Sequence, residues 1–386
     1  MSDRYGSTLY TKEFVDTLPK EEAEETRPLL QLLRGDHADP EAEIERIERW
    51  YRELDGPDDR KSALAGNLRS LRPRQFWSAL SELMTSRILG DRGFAAAFER
   101  PIAGLTPDFH VRHDGHRDFV VEVLTAFEEA EYRRMDADLR YIANALAAIH
   151  HRIAVFLDEV DLPATRPSLK PFLSRVVTWL EACRPDEPSE LCLSPDDVGF
   201  SVTLSAVGAR PEPGPIVEGI VGPGGKISTH ETIRDALRRK SQKYRALKDA
   251  GLPLVIFVWQ GTWLHVNSTS LEWALFGPER VTFTRTRERI SGGRWDREPG
   301  GLFGFGADGG SAPQHTRISA VMYCERVWHS EKVSARLRLY HHPFAATPVG
   351  VDTFHGIPQF VPIEATEDLT TLQWLDEEGD ACVPLP

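Results

Sequence analysis

The chain has 386 residues, 41% apolar and 27% charged, which is ordinary for a soluble globular protein with room for two or three domains and at least one sizeable core. No apolar run is long enough to cross a bilayer, and the opening MSDRYGSTLYTKEF lacks the apolar centre of a secretory signal, so neither a membrane nor a secreted protein is expected. A formal net charge of −13 speaks against nucleic acid as a partner only if that charge is evenly spread.

It is not evenly spread. Residues 1–60 hold 17 acidic and 9 basic side chains, whereas Arg234 to Asp249 holds seven basic and two acidic ones. An acidic N-terminal region beside one basic helix leaves room for an anionic partner. The four cysteines, Cys183, Cys192, Cys324 and Cys382, show no C-x-x-C pair, so a structural zinc site or disulfide framework is not expected and a reducing cytoplasm is the default. A Cys183–Cys192 disulfide is conceivable.

In chain order, polar helices are predicted near Glu22–Leu33, Pro40–Leu54 and Asp59–Leu71. Pro40 followed by Glu41, Glu43 and Glu45 suits a helix start, where acidic side chains meet the positive end of the macrodipole. A longer helix over Pro73–Leu89 carries Phe76, Leu80, Leu83 and Met84 on one face. A short strand (Phe94–Phe98), a β-hairpin, a helix from about Glu128 to Ile149 and a core strand at His151–Leu157 follow. Beyond these come a helix near Leu169–Ala182, a strand at Gly199–Val207 and the turn-rich segment PEPGPIVEGIVGPGG. Ser228-x-x-Glu231 has capping-box spacing and opens a helix to about Ala250, which Gly251 ends before a buried strand at Leu254–Trp259. From about residue 280 strands alternate with Gly/Pro-rich loops. The expected fold class is α/β with a mixed central sheet flanked by helices. Residues 1–72 form an acidic helical region, 73–280 a core with an insertion around 161–225, and 281–386 a strand- and loop-rich C-terminal region.

The hairpin carries the most information. Thr106–Val111 reads as one strand and Phe119–Leu124 as the other, with Asp114-Gly115 as a tight type I′ turn. The second strand is apolar on both faces, yet Glu122 sits inside it. A buried carboxylate without a partner is costly, so it pairs, takes a proton or binds a metal. Asp108 on the neighbouring strand is placed to share such an ion. Two carboxylates on adjacent strands can hold Mg2+, which takes oxygen ligands and keeps several waters, and which could activate water against a phosphodiester. The plainer alternative makes Asp108 a turn cap and Glu122 half of a structural ion pair. The Pro-Asp dipeptide by itself is uninformative, since it also occurs at Pro57-Asp58, Pro185-Asp186 and Pro195-Asp196.

The order Glu82 on a helix, Pro107-Asp108, then Glu122 in an apolar strand resembles the PD-(D/E)xK superfamily of restriction-endonuclease-like nucleases. The basic helix with Lys240-x-x-Lys243-Tyr244 and the strand at Leu254–Trp259 resemble elements that follow the core motifs in many members. The resemblance covers roughly residues 73–277. It implies a restriction-endonuclease-like core, Asp108 and Glu122 as ligands of a catalytic Mg2+ (with Mn2+ as the alternative ion), and Glu82 as a further catalytic acid. It also implies a lysine two residues after the glutamate to position or activate water, but that position is Leu124.

In some members the lysine comes from a neighbouring helix, and this chain has a candidate. Ile233, Leu237, Tyr244 and Leu247 form one apolar stripe, and Lys240 falls on its centre line. An ammonium facing a core needs an acidic partner, which Asp108 or Glu122 would supply. The alternative is that Lys240 bends out past its neighbours to solvent. Lys243, at the stripe's edge, faces solvent or contacts phosphate, and Arg234, Arg238, Arg239 and Lys248 would add phosphate contacts. Helical spacing sets Glu82 nearly opposite the apolar stripe of its own helix, where a solvated acid is natural. Only the resemblance assigns it a role.

Other signals are weak. Gly304-x-Gly306-x-x-Gly309 lacks the flanking strand and helix of a dinucleotide fingerprint. Val221–Lys226 lacks the spacing of a phosphate loop, and no G-x-S-x-G elbow is present. His110, His113 and His116 read as turn histidines rather than a zinc site. Trp259, Trp263 and Trp273 read as core residues rather than stacking platforms.

The reading is therefore a Mg2+-dependent nuclease acting on DNA in the cytoplasm, for which the resemblance suggests defence against foreign DNA. The alternative is a catalytically degenerate relative that binds nucleic acid or protein. A protein partner at the acidic N-terminal region and a homodimer are further options.

Overall fold

Phe119–Ala126 is an eight-residue strand in which β-branched and aromatic side chains fill both faces, and only a strand buried in the middle of a sheet accepts such a run. The computed structural model describes residues 8–18, 28–34, 40–113, 115–127, 130–163, 165–184, 189–220, 229–244, 250–261, 267–285, 290–304, 312–329, 332–365, 370–375 and 382–384.

Helices α1 (Lys12–Asp16), α2 (Pro28–Arg34), α3 (Pro40–Glu53), α4 (Asp58–Leu68) and α5 (Pro73–Asp91) precede strands β1 (Ala95–Phe98), β2 (Phe109–Arg112) and β3 (Phe119–Ala126). Then come α6 (Ala130–Ala147), β4 (His150–Asp161), α7 (Lys170–Ala182), β5 (Ser189–Leu193), α8 (Pro195–Val198), β6 (Ser201–Pro215) and β7 (Val217–Ile220). The chain continues through α9 (Thr229–Lys243), β8 (Leu254–Gln260), α10 (Ser268–Phe276), β9 (Glu279–Arg285) and β10 (Ile290–Arg297). Strands β11 (Ile318–His329), β12 (Lys332–His341), β13 (Gln359–Ala365), β14 (Thr370–Leu375) and β15 (Cys382–Pro384) complete it.

The chain divides into two compact units, one of Met1–Phe127 with Thr229–Pro386 and one of Glu128–Ser228. The first is built on a mixed nine-stranded sheet in the order β1-β2-β3-β8-β11-β12-β13-β14, with β15 beside β12. Strands β3, β8 and β11 run parallel, and β1, β2 and β3 antiparallel. Alternation along the central strands divides the core. Val121, Val123, Val255, Phe257 and Trp259 face α5 and the N-terminal helices, while Val120, Leu254, Ile256 and Val258 face α9 and α10. At Gly277, φ is 87° and a Cβ would stand 2.0 Å from the Glu298 carbonyl oxygen, so only glycine fits where α10 ends. The second unit is a four-stranded sheet, β5-β6-β4-β7, with Ile142, Leu146, Phe172 and Val176 from its helices in a separate core. Among the described residues no helix is long and apolar enough to cross a membrane.

Four expectations need correction. The 1–72 region is not a separate body: Leu9, Tyr10, Ile47, Trp50, Leu64 and Leu68 share one core with α5 and the sheet, and the buried Glu48 carboxylate accepts the Leu9 and Tyr10 amides at 2.6 and 2.9 Å. The inserted unit begins at residue 128, not near 161, and the expected core strand at His151–Leu157 is β4, which pairs with β6 and β7 outside the central sheet. An apolar run tells that a strand is buried, not which sheet buries it. Residues 281–386 are no independent region either, because β11 to β15 extend the central sheet. Finally, the β2–β3 connection is wider than a two-residue turn, since the last paired residues are Val111 and Phe119. A turn does form there, with the His116 amide on the His113 carbonyl and Gly115 at φ 82°, but Asp114 lies outside the described residues. So do Ser228 and the Val221–Lys226 segment, Gly306 and Gly309, Trp263, Leu247 and Lys248.

Cys183, Cys192 and Cys324 are free thiols, so the Cys183–Cys192 disulfide does not form. Trp259 is fully buried and donates its indole N–H to Thr85, in keeping with a core role.

Candidate acidic site at the sheet edge

Glu122 sits in the middle of β3 with its side chain 0% exposed. Its neighbours in sequence, Val121 and Val123, enter the α5 side of the core, so alternation sends Glu122 to the α9 side. Leu124, two residues on, shares that face and packs there. Helix α9 lies over it, held down by the buried Ile233, Leu237 and Tyr244.

The stripe on α9 delivers three polar groups to Glu122. Lys240 Nζ donates to Oε2, and the Tyr244 hydroxyl donates to Oε1. Lys243 Nζ stands 3.6 Å from Oε1 with its side chain 51% exposed, so it belongs half to the site and half to solvent. Asp108 lies just before β2, and its Oδ2 accepts the Val123 amide at 2.6 Å and stands 3.9 Å from Lys240 Nζ. That amide bond turns the Asp108 carboxylate toward β3. The Lys240 side chain is 26% exposed and that of Asp108 15%, so the site is closed behind Glu122 and open to solvent on the Asp108–Lys240 side.

Electrostatics bind more residues into the cluster. Burial, with Asp108 nearby, pushes the Glu122 carboxyl up to about 7 against the opposing pull of Lys240 and Lys243. Burial also pushes Glu82 well above the ordinary carboxylate range, reinforced by Asp108, Glu99 and Glu122 and only partly offset by Lys240. Burial pulls the Lys240 ammonium down, but Asp108, Glu122 and Glu82 outweigh it and leave the group above its ordinary value. Glu82 is thus half-buried among charges rather than solvated, because α5 is covered on more than its apolar face.

The sequence-predicted residues Asp108, Glu122 and Lys240 therefore meet at one place, together with Lys243, while Glu82 joins them through longer-range electrostatics alone. The other basic residues of α9 do not join them. Arg234 donates to the Gly300 carbonyl at 3.2 Å, and Arg238 stands 3.4 Å from Asp235. Arg239 is exposed. Two participants escaped the sequence reading. Tyr244 was counted only as apolar, although a hydroxyl on a buried stripe demands a partner. Glu99 has no motif to mark it; its amide donates to the Asp108 carbonyl at 2.9 Å, its φ is a left-handed 43°, and burial, opposed by Arg60 and reinforced by Asp108, raises its carboxyl.

No protein-family profile, curated protein or solved structure matches the chain.

The donor set suits a hard cation. Glu82, Asp108 and Glu122 offer only oxygen, and burial first, with neighbouring carboxylates second, raises the proton affinity of Glu82 and Glu122. Among the described residues no three His, Cys, Asp or Glu side chains stand close enough to enclose an ion by themselves. An ion here would take one or two carboxylates and otherwise water, the habit of Mg2+.

Proposed function

We propose that this chain is a Mg2+-dependent nuclease that hydrolyses DNA phosphodiester bonds in the cytoplasm, on a divergent restriction-endonuclease-like core. The observation that carries the reading is that Lys240 reaches Glu122 and Asp108 together. Position 124 shares a strand face with Glu122, so α9, lying over that face, delivers an ammonium to the same space from the helix side.

Asp108 and Glu122 would hold the ion, Mg2+ or Mn2+. Bound there, it would lower the pKa of a water and stabilise charge on the phosphate. Glu122 would give up its proton to become a ligand, which its pKa of about 7 makes easy near neutrality. Lys240 would orient the attacking water or neutralise a phosphate oxygen, and its retained proton suits both. Tyr244 holds Glu122 in one rotamer, and the Val123 amide holds Asp108. Glu82, whose carboxyl is pushed upward by burial and by Asp108, would lie beside the site as a further acid. Lys243 and Arg239 are exposed on α9 for contacts with the DNA backbone.

The test is cleavage of plasmid DNA by purified protein with Mg2+ or Mn2+, and its abolition in Asp108→Ala. A second reading, a nuclease-like fold that binds nucleic acid or protein without turnover, draws on one observation: both oxygens of Glu122 already accept hydrogen bonds, from Lys240 and Tyr244. Protein that binds DNA but leaves it intact across several divalent metals would favour that reading.

A further inference from the structure

Helix α9 has a second functional flank. Turned away from Glu122, Arg238 and Gln242 line a cleft of about 500 Å3 together with Pro313, Gln314, His315, Thr316 and Arg317. That volume exceeds the needs of a single ion and suits a small ligand of nucleotide size. Among the described lining residues two are arginines and none is acidic. Among the described residues the Asp235 carboxylate, on the helix one turn back, reaches Arg238 at 3.4 Å.

The opposite wall is built, not slack. The Thr316 carbonyl accepts the Ala346 amide at 2.6 Å, the Gln314 amide donates to Gly304, and His342 Nε2 lies 2.9 Å from the Gln314 carbonyl. His315 is held at φ 51°, a left-handed conformation that non-glycine residues rarely adopt. The strained residue faces α9, with its Nδ1 3.4 Å from Ser241 Oγ, and Arg317 reaches the Ser241 carbonyl at the same distance. Burial, with Arg238 and Arg317 beside it, pushes the imidazole down to about 4. Two guanidiniums therefore line the cleft even with His315 neutral.

We propose that this cleft binds the phosphate monoester of a nucleotide, either free or at the end of a DNA strand. Arg238 and Arg317 grip the dianion from the two walls, and Gln242, Thr316 and the neutral His315 complete it as hydrogen-bond donors. Phosphate rather than carboxylate is favoured because two guanidiniums and three neutral donors match an anion with three terminal oxygens. The site stands apart from the carboxylate cluster and does not depend on hydrolysis there.

The test is calorimetric titration of the full chain, without divalent metal, by a short single-stranded oligodeoxynucleotide with and without a 5′-phosphate, and by a nucleoside 5′-monophosphate and its nucleoside. The phosphorylated probe should bind at least tenfold tighter than its unphosphorylated twin. Arg238→Gln and Arg317→Gln should each remove most of that difference with the melting temperature retained, whereas Asp108→Ala should keep it. A monophosphate that competes with the oligonucleotide identifies a free nucleotide as sufficient, and competition by the longer strand alone identifies a strand end. Equal affinity with and without phosphate, or an unchanged preference in folded Arg238→Gln/Arg317→Gln protein, would overturn the proposal.

Discussion

Lys240 and Glu122, 118 positions apart in the chain, meet as an ion pair at the boundary between a fully buried strand and solvent. The carboxylate is held on its other oxygen by Tyr244 and the ammonium is shared with Asp108. Neither charge would be tolerated there alone, because removing one partner of a buried pair leaves an uncompensated charge worth several kcal/mol.

The two lysines of α9 should behave differently. Lys240→Ala is expected to reduce metal-dependent DNA cleavage by at least about 100-fold, as loss of a preorganised charge does. Lys243→Ala, at 3.6 Å from Glu122 and half in solvent, should cost less than about tenfold. Plasmid-nicking rates at equal protein concentration decide this, and equal effects would remove Lys240 from its assigned role.

A transplant tests the geometry directly. Leu124 lies two residues after Glu122 on the same face, so Leu124→Lys in a Lys240→Met background returns an ammonium to that space from the strand. Cleavage should recover measurably over Lys240→Met alone. A folded double variant with no gain would mean that the position of the charge, not only its presence, is set by the helix.

Stability should carry a pH signature. The folded chain holds the Glu122 proton with a pKa of about 7, above the ordinary value of 4.5, so the folded state binds it more tightly than the unfolded one. The contribution of this group is thus full below its unfolded pKa and is lost as pH rises through the folded value. Glu122→Gln lacks the linkage, while His315 and His342, whose lowered values act in the opposite direction, are common to both proteins. The wild-type minus Glu122→Gln melting difference should fall between about pH 5 and 8. Mg2+ should raise it again at the alkaline end if the ion binds there. A flat or rising difference without metal would contradict the assignment.

Tyr244→Phe keeps the ring in the core and removes only the hydroxyl that bonds Glu122 and stands 3.2 Å from the Thr106 carbonyl. It should destabilise the fold by about 1–3 kcal/mol, the cost of losing a hydrogen bond to a buried charged group. Urea denaturation provides the measurement, and a neutral effect would show that Lys240 alone satisfies the carboxylate.

Much of the candidate site was legible because its signals are local. An acid inside an apolar strand, a lysine on the centre line of an apolar stripe and a Pro-Asp before a strand are visible without coordinates. Glu82 looked like a surface acid because helical spacing records one apolar face and says nothing of what else covers the helix. Glu99 was invisible, since only folding brings it beside Asp108. The partner of Arg234 was out of view for the same reason, being the carbonyl of Gly300, 66 residues away.

The division at residue 128 follows the same logic. Chain order alone set out helix, strand, hairpin, helix and strand, and the α/β class and the elements that build the site (α5, β2, β3, α9 and β8) follow from periodicity and capping, which act over a few residues. Which strands share a sheet depends on pairing between distant segments, and β4 turned to β6 and β7 while β8 paired with β3. Periodicity fixes which side of a strand is buried. Only the packed chain decides what stands opposite, and at Glu122 that neighbour is an ammonium from a helix more than a hundred residues downstream.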